Sequence, residues 1–168
     1  MPIDRAYAFI ELSALHEPLS EIGYRVEVDD PSATLRIERP GAGAESTLNI
    51  GLEPSPADDI RLVSCDAVYR YETAEGAVAE VTAALPIITR HMPVGHLALD
   101  LDGRVHARWT IATDSRQSLD DEHIITSIVM FDLLQQHFGD YVEEVCNGDI
   151  PAALVEQLMR QAGDIDDG

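Results

Sequence analysis

The chain has 168 residues, 45% of them hydrophobic, and sets 31 acids against 11 bases for a formal charge of −20. That length suits one domain with a core that needs no staples, and that charge repels nucleic acid and anionic membranes at a distance. All eleven bases are arginine, which excludes a Walker-A lysine, a Schiff-base lysine and a kinase-type lysine.

Two cysteines, Cys65 and Cys146, lie far apart in sequence. With no secretory pattern at Met1-Pro2-Ile3-Asp4-Arg5, they predict free thiols in a reducing compartment. No apolar run approaches membrane-spanning length. The expectation is a cytoplasmic protein with neither nucleic acid nor membrane as partner. The acidity reads as solubility first, and as a surface for a basic partner second.

From Asp4 to about His16 the spacing of Phe9, Leu12 and Leu15 predicts a helix with Asp4 as its cap. Pro18 then either kinks it or starts a short second turn, and Leu19 and Ile22 extend the apolar stripe to Gly23. Alternation predicts strands at Tyr24 to Val28, Leu35 to Glu38, Leu48 to Leu52 and within Arg61 to Tyr71. Loops follow at Asp29-Asp30-Pro31, Pro40-Gly41-Ala42-Gly43 and Pro54-Ser55-Pro56. Connections this short imply an antiparallel meander with one wet face.

A second helix is expected near Thr73, with Val78, Val81, Leu85, Ile88 and Met92 on one side and a kink or break at Pro86. Next, Leu97 to Leu101 and Val105 to Ile111 flank Asp102-Gly103, the signature of a hairpin with a tight primed turn. A long helix opens near Leu119, with Ser118 and Asp121 read as a capping box. Ile124, Ile128, Phe131, Leu134 and Phe138 fall on one of its faces, and Ile125, Val129 and Leu133 on another. One sheet covers one face, so the second is expected to meet another helix or another subunit. The pattern weakens at Gly139, resumes through Tyr141, Val142 and Val145, and stops at Asn147-Gly148. Pro151 opens a final helix with Leu154, Val155, Leu158 and Met159 on its apolar side, and Asp164 to Gly168 reads as a solvated acidic tail.

No catalytic or cofactor motif is present. His91 and His96 flank Met92-Pro93-Val94-Gly95, but zinc needs two more donors and neither cysteine has a ligand spacing. His106 and Trp109 point to opposite faces of their strand, so Trp109 is expected to anchor the core or an interface. Asp120, Asp121, Glu122 and His123 are what a helix N-terminus attracts. Asp100, Asp102 and Gly103 read as a turn rather than a calcium loop. Asp132 is expected at the rim of an interface, in reach of Arg104, Arg108 or Arg116. Cys65 reads as a buried strand thiol.

The order helix, antiparallel strands, helix, hairpin, long helix resembles the bacterial YbjN-like proteins, whose fold is that of the type III secretion chaperones. Glu21 to Asp30 and Asp102-Gly103-Arg104-Val105 carry the likeness, which covers roughly Leu12 to Val145. It implies a regulator or a small acidic homodimer that binds extended client segments, and an interaction module rather than an enzyme.

The expected fold is therefore α+β, an antiparallel sheet of five or six strands with helices packed on one face, in the order α-β(3-4)-α-β-β-α. Residues 1–150 form the domain and 151–168 a C-terminal helix and acidic tail. The expected function is a non-enzymatic protein-binding module, chaperone-like or a regulatory adaptor, acting as a homodimer through the long helix or the hairpin edge. Leu97, Leu99, Leu101, Trp109, Ile125, Val129 and Leu133 are the expected interface or groove, with a protein client and no catalytic, cofactor-binding or metal-binding residue. The alternative is a small-molecule sensor or an enzyme without a recognisable motif, using the histidines of region 91–106.

Overall fold

In the computed structural model, residues 5–29, 34–38 and 46–166 are described, with the backbone alone at 5, 29, 46 and 162–166. The elements are α1 (Arg5–Ser13), α2 (His16–Glu21), β1 (Arg25–Asp29), β2 (Thr34–Glu38), β3 (Ser46–Glu53), β4 (Ile60–Glu72) and α3 (Val78–His91). They continue as β5 (His96–Leu99), β6 (Arg104–Asp114), α4 (Glu122–Asn147) and α5 (Ala152–Asp166). The fold is α+β, with one six-stranded antiparallel sheet in the order β1-β2-β3-β4-β6-β5. The chain divides into two compact units, one of Met1–Ala67 with Trp109–Asp132, the other of Val68–Arg108 with Leu133–Gly168.

In the first unit α1 lies against β2 and β3, and α2 against β1. Strand register pairs Val26 with Ile37 and Leu35 with Ile50. Leu35 and Ile37 are buried while Arg36 between them is exposed, as a one-sided sheet requires. Leu12, Leu15, Leu19, Leu48, Ile50, Val63, Leu119, Ile128 and Phe131 complete this core. The choice at Pro18 falls on a second helix, since α1 ends at Ser13 and Pro18 sits in the first turn of α2, where its missing N–H costs nothing. Gly23, at φ 97°, ends α2, and the Tyr24 N–H closes back on the Leu19 carbonyl at 3.0 Å. The expected Asp4 cap, most of the turn at Asp29-Asp30-Pro31 and the loop of Pro40 to Gly43 lie outside the described residues.

In the second unit α3 packs on β5 and on α5. Its core holds Tyr69, Val81, Ala84, Ile88, Val105, Ala107, Val142, Val145, Val155 and Met159. Three expectations need correction here. The helix expected near Thr73 starts at Val78, because the Thr73 N–H is drawn to the Gly103 carbonyl and the Ala74 N–H to the Cys146 carbonyl. Of the kink or break expected at Pro86, the break does not occur: the helix continues as one element through this exposed residue. The hairpin turn is not a two-residue primed turn: Asp100 N–H donates to the Arg104 carbonyl across the three residues Leu101, Asp102 and Gly103. Gly103 takes the left-handed position, at φ 77°, which matches a three-residue loop closed by glycine.

Candidate interaction surfaces

Within the first unit, α4 starts on Asp121 rather than on the expected Ser118. Asp121 Oδ1 accepts the His123 N–H at 2.9 Å, and its carbonyl accepts the N–H groups of Ile124 and Ile125. The acidic cluster thus serves helix initiation, favoured by the positive end of the helix dipole. Ile124, Ile128 and Phe131 are fully buried. Ile125 and Val129 are half-buried on the neighbouring face. Trp109, also half-buried, leans on Phe131 with ring centroids 6.0 Å apart, so part of the indole goes into the core and part remains accessible.

Asp132 is not at a rim. It is 5% exposed, and its Oδ2 accepts a hydrogen bond from the Tyr24 hydroxyl at 2.6 Å. Arg61 is a second buried charge absent from the sequence reading. Its guanidinium donates to the carbonyls of Ser115 at 2.5 Å and Gln117 at 2.7 Å, and pairs with Glu11 Oε2 at 3.0 Å. It thereby ties the segment after β6 to α1 and β4. Its place in the alternating series with Val63, Cys65 and Ala67 on β4, whose side chains are buried, was the one available signal. Cys65 has no exposed surface, and its burial, with Asp66 beside it, pushes the thiol up to about 12. Burial thus disfavours the thiolate, the form in which a cysteine acts as a nucleophile.

Within the second unit the three leucines of the expected interface part company. Leu97 is buried in the unit's own core and its N–H donates to Thr89 Oγ1 of α3. Leu99 is half-buried, and Leu101 stands fully exposed at the tip of the three-residue loop. Leu133 is exposed. The exposed Leu101 is flanked by Asp100, whose Oδ1 accepts the N–H groups of Asp102 and Arg104 at 2.8 Å each. Those bonds and the contact of Oδ2 with His106 Nε2 at 2.7 Å hold the Asp100 carboxyl below its ordinary range, the Arg104 N–H contributing most. His91 and His96 are both exposed, on the last residue of α3 and the first of β5. Among the described residues no three His, Cys, Asp or Glu side chains are grouped to hold a metal ion. No helix there is long and apolar enough to cross a membrane. No protein-family model and no curated relative matches the sequence.

Proposed function

We propose that the chain is a non-enzymatic protein-binding module, a chaperone-like or regulatory adaptor that acts as a cytoplasmic homodimer. The observation that supports it is the state of Ile125 and Val129. They sit one turn apart on α4, each left half-buried while Ile124 and Ile128 beside them are enclosed. A second apolar face on a helix gains free energy when a partner covers it, here the remaining part of the roughly 1.5–3 kcal/mol that burying a fully exposed large side chain is worth. The same proposal makes the chain a YbjN-like protein, supported by the order of helices, meander, helix, hairpin and long helix. It calls on no catalytic group: Asp121 caps α4, and His106 and Asp100 brace the hairpin.

Native mass spectrometry of the untagged protein tests this. The expected spectrum is a dimer, alone or with a second protein chain, and the I125D/V129D variant is expected to give folded monomers by circular dichroism. T126D, on the exposed side of the same helix, controls for added charge. A wild-type monomer without a partner chain, or an I125D/V129D protein that stays dimeric, overturns the assignment. A discrete small adduct on a monomer overturns it in favour of a ligand-binding reading centred on the histidines.

A further inference from the structure

We infer that the open face of β4, β6 and β5 in the second unit docks a short acidic polypeptide segment. Register pairs His96 with Arg108 and Ala98 with His106, and directly opposed residues share a sheet face. Arg104 lies on that face by alternation, and its Nη2 reaches Glu72 Oε1 of β4 at 3.4 Å, which brings Glu72 and Arg70 to the same side. Val105, Ala107 and Tyr69, on the alternate positions, are buried. Arg70, Arg104, Arg108 and His96 are exposed, and His106 is half-buried.

In a chain of formal charge −20 this face gathers three of eleven arginines and two of six histidines. Of its two acids in this unit, Glu72 pairs with Arg104, and Asp100 is held by a hydrogen-bond contact with His106. Asp102 stands apart, exposed in the loop beyond the strands. Arg108 already makes an interaction of its own, so the weight falls on Arg70, which pairs with no carboxylate among the described residues. Val68 and Ala98 put small apolar surface among the charges.

Three strands spaced roughly 4.8 Å apart and three alternate positions along them give a patch about 10 by 13 Å. That accommodates about four extended residues, at roughly 3.3 Å each, and no long polyanion. A nucleic acid running off the patch meets the acidic remainder of the chain. Carboxylates at alternate positions of an extended segment all face the sheet and match the guanidinium forks. This surface does not rest on the α4 reading, and the two fail separately.

The test is fluorescence anisotropy with a fluorescein-labelled peptide of two Asp-Ala repeats. Binding is expected at 20 mM salt and is expected to weaken at least tenfold at 300 mM. R70E and the milder R70Q are each expected to weaken it at least fivefold with unchanged circular dichroism. R160E, an equal charge change on α5, is expected to stay within twofold, and so is the I125D/V129D variant. Absence of wild-type binding at 20 mM salt, equal losses in R70E and R160E, or tighter binding of an oligothymidylate than of the peptide overturns the inference.

Discussion

The Tyr24 hydroxyl and Asp132 Oδ2 meet at 2.6 Å, with both residues buried in the first unit. A buried carboxylate is tolerated only while donors face it. Y24F removes one donor and is expected to lower stability by about 1.5–3 kcal/mol, the usual range for a hydrogen bond to a charged group. Urea denaturation checks this. The double variant Y24F/D132L, which removes donor and carboxylate together, is expected to recover part of the loss.

Arg61 makes a stronger case, because three acceptors from α1 and the segment after β6 depend on one side chain that is 7% exposed. R61M leaves two carbonyls and Glu11 without it, and is expected to cost about 3 kcal/mol. R61K keeps the charge but not the fork, and should restore less than half. Amide exchange at Ser115 to Ser118 is the local readout; unchanged protection there would mean that Arg61 does not hold this segment.

Cys65 and Cys146 are fully buried, and burial raises both thiols, Cys65 to about 12. At pH 8 only about one Cys65 in ten thousand would be thiolate, so labelling of the native protein by a disulfide reagent should be slow, with both sites reacting on unfolding. The sign of the linkage follows. The native state keeps its thiol protons above pH 9 where the unfolded chain loses them, so this contribution is complete below pH 9 and is lost as pH rises. A stability profile flat from pH 8 to pH 11 would refute it.

Asp100 has the opposite sign. Its carboxyl is lowered by the Arg104 and Asp102 N–H groups and by His106, so the unfolded chain binds that proton more tightly than the native one. Its contribution is full above the ordinary carboxylate range and is lost as pH falls through the lowered value. D100N is therefore expected to melt below the wild type at pH 7, with the gap closing towards pH 3 in thermal scans. A gap independent of pH would assign the effect to turn geometry alone.

Local chemistry determined a good deal of this protein from sequence alone. Alternation placed the four strands of the meander, Gly23-Tyr24 marked the passage from helix to strand, and Asp102-Gly103 marked the hairpin, because periodicity and positive φ are properties of neighbouring residues. The long helix and its two apolar faces were legible for the same reason. Tertiary structure decided what neighbours cannot. It buried Asp132 against a tyrosine 108 residues earlier, drew Thr73 and Ala74 out of the expected helix towards Gly103 and Cys146, and set Leu97 in a core while leaving Leu101 in solvent. Of eleven arginines, sequence cannot tell that Arg61 is enclosed and Arg70 exposed, since a charge is buried only where distant parts of the chain bring it acceptors.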